Sequence, residues 1–133
     1  MLNIKLSQII PKLLGDMLVD IKIIYLFGSH ASNSVMVLSD IDIAVLTRSK
    51  LSSIKRWQVQ SELANVLATE VDLVDLLTAS TVMQNQIIQK GICIYDFENS
   101  AAFFEMQVMS MYQHLNVERA DILKQYLSIE TES

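Results

Sequence analysis

Two largely apolar runs of strand length, Ile23 to Phe27 and about Asp40 to Leu46, flank a polar and then mixed stretch that opens on Gly28 and Ser29. This pairing restricts the folds open to the chain more than any other feature. The first run is almost continuously apolar, as in a strand covered on at least one face, and it stops at the glycine. The second carries Asp40 and Asp42 on alternate residues. Side chains two apart on a strand share a face. A strand from about Asp40 to Leu46 therefore sets the two carboxylates side by side, with Ile41 and Ile43 on the opposite face. Adjacent carboxylates repel unless a cation lies between them, and hard oxygen ligands of this kind suit Mg²⁺ that shares its shell with substrate phosphates.

The rest of the chain supplies an α/β frame for these strands. Ser7 is placed to cap a first helix running to about Leu18, with Pro11 in its first turn and a broad apolar stripe through Ile9, Ile10, Leu13, Leu14, Met17 and Leu18. Asp20 begins the turn into a strand from Lys22 to Phe27, and Gly28 to Ser39 crosses to the second strand, with a helical turn expected around Ser29 to Asn33. After a linker at Thr47 to Ser53, the apolar positions Ile54, Trp57, Leu63, Ala64 and Leu67 predict a helix packed over the sheet. Val71 to Leu77 reads as a third strand carrying Asp72 and Asp75. Their odd spacing puts them on opposite faces, so only one can join the aspartates of strand two. Ser80 opens a further helix, Gly91 closes it, and Ile92 to Tyr95 makes a short fourth strand. The remainder is helical, with apolar residues at helical spacing from Ala101 to Leu127 and a break expected near Asn116. The expected organisation is one domain over residues 1–133, with a core over about 7–95 and a C-terminal helical segment over about 99–128.

Glycine-serine, ten residues, Asp40-x-Asp42 and a third aspartate on another strand form a pattern that resembles the DNA polymerase β-like nucleotidyltransferases. The length resembles their minimal branch, the MNT antitoxins that accompany HEPN-domain toxins. The resemblance covers roughly Ile23 to Tyr95 and implies a small mixed β-sheet flanked by helices, with the three carboxylates on one face and helices against the other. It implies that Asp40, Asp42 and Asp72 are the catalytic and metal-binding residues, holding two Mg²⁺ ions, and that Gly28 and Ser29 bind the nucleotide. Of the two aspartates on strand three the family pattern selects Asp72, which leaves Asp75 as a cap or a solvent-facing residue. Glycine lets backbone approach a triphosphate closely, and backbone amides with the Ser29 hydroxyl then meet its oxygens. The implied activity is transfer of AMP from ATP to a hydroxyl, a tyrosine's, of a HEPN ribonuclease toxin, with which the chain would form a hetero-oligomer. Two other readings stand beside it: an antitoxin that acts by contact alone, and a small-molecule nucleotidyltransferase, for which 133 residues leave little room to build a pocket. The chain departs from many relatives at Asn33, where they carry a second glycine, and His30, Ser32 and Asn33 replace the usual basic residues of that loop. Triphosphate affinity is expected to be modest or to be completed from elsewhere.

Composition narrows the partners. A net charge of −5, with ten Lys and Arg scattered along the chain, is unlike a nonspecific nucleic-acid binder with its concentrated basic face. Arg48, Lys50, Lys55 and Arg56 read as a solvated helix start. An apolar share of 51% against 19% charged exceeds what a small core needs, so part of it is expected to cover a partner, with Trp57, Met106, Met109 and Met111 as core or partner contacts. Cys93 lies alone in an apolar run, which predicts a small core residue in a reducing compartment. No basic segment precedes a signal-peptide core and no apolar run reaches the roughly 18 residues of a membrane span, so a cytoplasmic location away from membranes is expected.

Overall fold

The computed structural model describes residues 2–28 and 40–132. Among these, α1 (Leu2–Met17), β1 (Ile21–Phe27), β2 (Ile41–Thr47), α2 (Ser53–Leu67), β3 (Val71–Asp75), α3 (Thr81–Lys90), β4 (Ile92–Asp96) and α4 (Ser100–Glu132) follow in order. The strands form one sheet in the order β3-β2-β1-β4. β1 runs antiparallel to both β2 and β4, whereas β2 and β3 are parallel. Parallel neighbours need a crossover, and α2 supplies it. The helix is closed at both ends: the Ser52 hydroxyl accepts from the Lys55 amide, and Ala68 ends it in the left-handed region at φ 54°.

Helices cover both faces. α1 and α2 bury Ile10, Leu14, Val59 and Leu63 against Ile24, Leu26, Ile43, Val45 and Leu73. α3 and α4 bury Ile87, Ala101, Phe104 and Val108 against Ile23, Tyr25, Ala44 and Leu46. The two sets alternate along each strand, as the pleat requires. The expectation that helices lie only on the face opposite the carboxylates is corrected: Ala44 and Leu46 lie on the same side of β2 as Asp42, and α3 and α4 pack there.

Several local expectations change for identifiable reasons. α1 starts at Leu2, not at a Ser7 cap, so Pro11 falls inside the helix and removes one rung of its ladder. On α2 the sheet side is marked by Val59 and Leu63, while Ile54 and Trp57 are 71% and 63% exposed. β3 ends at Asp75, where a turn begins, and not at Leu77. Cys93 is exposed, because β4 is an edge strand with little above it. α4 is continuous through Asn116. Ser80 and Gly91 do bound α3, although Gly91 is extended (φ −80°) and not left-handed.

Candidate active site

The carboxylates gather at one end of the sheet, where β1 finishes and β2 and β3 begin. Phe27, the last residue of β1, pairs with Asp42, and Asp42 pairs in turn with Asp72 across the parallel β2–β3 ladder. Residues in register on adjacent strands direct their side chains to the same face. Asp42 and Asp72 are thus neighbours on one face, the first half-buried and the second exposed. The Ile41 amide donates to the Glu70 carbonyl (3.0 Å), which ties the first residues of β2 and β3 together at this end. Asp40 stands one residue outside β2 and is exposed, so strand alternation fixes Asp42 but not Asp40. Among the described residues, no three Asp, Glu, His or Cys side chains close into a cage around one point.

Gly28 is the residue that abuts Asp42. Its φ of +73° lies in the left-handed region, and a Cβ built on it would fall well inside contact distance of Asp42 Oδ2 and 3.1 Å from Cγ. Only glycine satisfies both the backbone and the space. Ser29 and the expected turn to Asn33, with His30, lie outside the described residues.

Asp75 is separated from the site. Its side chain is 2% exposed and accepts from the Leu51 amide (2.8 Å) and the Leu77 amide (3.0 Å). It therefore caps the turn after β3 and anchors the approach to α2, which is the cap of the two roles expected for it and not a solvent-facing residue. The parity argument on β3 holds.

Behind the site, Tyr25 is almost fully buried and its hydroxyl donates to Glu105 Oε2 at 2.9 Å, fastening α4 to β1. Burial, and then the Glu105 carboxylate, push the phenol far above its ordinary value. Two clefts open elsewhere, one of about 400 Å³ between α1 and the β1–β4 pair, the other of about 1010 Å³ along α4 beside Phe103 and Met111. Neither includes Asp40, Asp42 or Asp72.

Sequence reasoning missed one pair. Arg56, read as part of a solvated helix start, and Gln60, given no role, are half-buried and reach the outer edge of β3. Their spacing of four, on the side of α2 that carries Val59 and Leu63, is the signal that could have found them.

Residues 8–100 match the family described as Polymerase beta, Nucleotidyltransferase. The chain is 42% identical over 114 residues to the protein adenylyltransferase MntA of Shewanella oneidensis, covering 86% of this chain and 82% of that one. Among solved structures, it resembles a chain of a toxin-antitoxin crystal structure with AMP-PNP (40% identity, TM-score 0.82, 91% of this chain and 98% of the other). It also resembles a chain of the complex of tri-AMPylated S. oneidensis HEPN toxin with MNT antitoxin (38% identity, TM-score 0.79, 94% and 98%).

Proposed function

The chain belongs to the polymerase beta nucleotidyltransferase family, and from that premise we propose that it transfers AMP from ATP to a tyrosine hydroxyl of a HEPN-domain toxin and so neutralises it. The observation that carries the reading is the pairing of Asp42 with Asp72 beside a glycine whose missing side chain leaves room at the Asp42 carboxylate. The kinship with MntA and with chains of toxin-antitoxin complexes supports it.

Each side chain then has a task. Gly28 brings backbone close to the triphosphate, and the amides that follow it, with the Ser29 hydroxyl, hold the β and γ oxygens. The residues fit Mg²⁺, which is bound through one or two carboxylates and substrate phosphates more readily than by an all-protein cage. Asp42 and Asp72, with Asp40 at the mouth, would hold two such ions. When bound, they neutralise charge on the entering and leaving oxygens of an in-line displacement. Asp72, the more exposed of the paired carboxylates, takes the proton of the attacking hydroxyl. The hydroxyl oxygen bonds to the α-phosphorus, the bond from that phosphorus to the β-phosphate oxygen breaks, and pyrophosphate leaves.

The acceptor is presented by the partner, since neither of the two clefts described above includes Asp40, Asp42 or Asp72. Met111, Ile122, Leu123 and Tyr126 are exposed along α4, within roughly one third of its circumference at 3.6 residues per turn, and supply the apolar surface on which the toxin docks. Among the described residues no helix is long and apolar enough to cross a membrane. As part of the same reading we propose the cytoplasm, where ATP is supplied, as the site of the reaction.

Co-expression of the toxin with wild-type or Asp42→Asn protein tests the reading, with growth and the intact mass of the toxin as readouts. Wild type should add AMP units to the toxin; the variant should co-purify with it, leave it unmodified and protect poorly. Full protection by the variant with an unmodified toxin would replace catalysis by neutralisation through contact.

A further inference from the structure

β3 is an edge strand, and an edge strand ordinarily presents a row of unpaired amides and carbonyls. Here the row is interrupted by side chains of the crossover helix. Backbone groups on a parallel strand alternate between its two neighbours. The Glu70 carbonyl and the Leu76 amide both bond to β2, to the Ile41 amide and the Val45 carbonyl, each at 3.0 Å. By alternation Leu73 turns its own amide and carbonyl outward, away from β2. Both meet α2: the amide donates to Gln60 Oε1 at 2.9 Å, and the carbonyl accepts from Arg56 Nη1 at 3.3 Å. Arg56 Nη1 also reaches Gln60 Oε1 at 3.4 Å, so donor and acceptor hold each other in place. The pair presents to Leu73 one acceptor and one donor, as a neighbouring strand would.

We infer that Arg56 and Gln60 are positioning residues for AMP transfer, acting as a side-chain substitute for a fifth strand that fixes the backbone next to Asp72. Leu73 follows Asp72 directly, and its buried side chain leaves the peptide little freedom except along the sheet edge. Without the clamp, β3 is held by β2 on one side only, and Asp72 shifts relative to Asp42. ATP contacts through Gly28 and Asp42 are untouched by that shift, whereas the proton acceptor for the attacking hydroxyl is misplaced. The inference rests on the AMP-transfer reading for its catalytic consequence.

The test uses the full chain with its toxin, ATP and Mg²⁺. Gln60→Met removes the acceptor while keeping length and helix propensity; Gln60→Glu keeps an oxygen for the Leu73 amide and is the rescue. For Gln60→Met the expected result is a fall in kcat on the order of tenfold, with KM for ATP unchanged. Faster amide exchange at Leu73 by NMR should accompany it, and Gln60→Glu should return both to wild-type values. Faster exchange with unchanged kcat would make the clamp an edge seal alone and overturn the inference. So would unchanged exchange at Leu73, or a Gln60→Glu variant as slow as Gln60→Met. A wild-type protein that adds no AMP would sink the proposed function itself, an outcome distinct from an active wild type that is indifferent to Gln60.

Discussion

Replacing Gly28 with alanine asks the structure for two things it does not have. The backbone sits at φ +73°, where an L side chain costs roughly 1–2 kcal/mol. The new methyl would also collide with the Asp42 carboxylate. Against a rigid neighbour the collision would add about 1–3 kcal/mol, but the atoms met belong to a half-buried side chain and not to backbone, so they give way at lower cost. The stability loss is therefore set mainly by the backbone, about 1–2 kcal/mol, which for a chain of 133 residues lowers Tm by about 4–8 °C. Activity should suffer more than stability. A metal ligand pushed from its place loses on the order of 10² in rate, and AMP transfer followed by the intact mass of the toxin should fall by about that much. Gly28→Asn separates the causes, since Asn tolerates the left-handed backbone while still carrying a Cβ. Its Tm should recover most of the loss and its transfer rate should not. Transfer by Gly28→Ala within about threefold of wild type would refute the idea that the absent side chain makes room for Asp42.

Asp75→Asn replaces one of two acceptor oxygens with a donor facing a buried amide, so it should cost about 1–3 kcal/mol in chemical denaturation while leaving AMP transfer per folded molecule intact. Asp72→Asn should do the reverse, abolishing transfer with little change in Tm, and an exchange of these two phenotypes would contradict the strand register. Tyr25 is protonated more firmly in the folded chain than in the unfolded one, so the unfolded state loses its proton first as pH rises. The stability this contributes is complete below the ordinary tyrosine value of about 10 and declines above it; Tm measured from pH 8 to 11 should fall less steeply for Tyr25→Phe than for wild type. Cys93 should react with a maleimide in the native protein, and slowly, because partial burial and Asp96 raise its thiol above the ordinary value.

What the sequence made legible was local or periodic. Alternation placed Asp42 on one face and Ile41 and Ile43 on the other, and parity divided Asp72 from Asp75, because a pleat has a period of two wherever a strand lies. Ser80 and Gly91 marked the ends of α3 through capping chemistry that needs only neighbours in sequence. What stayed hidden depended on which strand lies beside which. Cys93 reads as core in a run of apolar letters, and only the position of β4 at the sheet edge exposes it. Ile54 and Trp57 fit a helical stripe, yet the sheet lies under Val59 and Leu63. Pro11 suggested a helix start because a proline is cheapest there, but the apolar face of α1 continues on both sides of it. The spacing of Arg56 and Gln60 on the Val59 side of α2 marks them as a pair facing the sheet, but their bonds go to backbone groups of Leu73, which no sequence pattern records.

α4 has one further consequence, and it is mechanical. Its last residue in the sheet core is Val108, and the helix runs on to Glu132. At 1.5 Å per residue the overhang is about 36 Å, a beam anchored at one end. The anchor includes the bond from Tyr25 to Glu105, on the strand whose last residue pairs with Asp42. A tilt of roughly ten degrees at the root carries the tip about 6 Å sideways over that length. Conversely, a load at the tip is delivered, magnified by the ratio of arm to root, to β1. Whatever grips the distal turns thus has leverage on the strand beside the carboxylates without touching them.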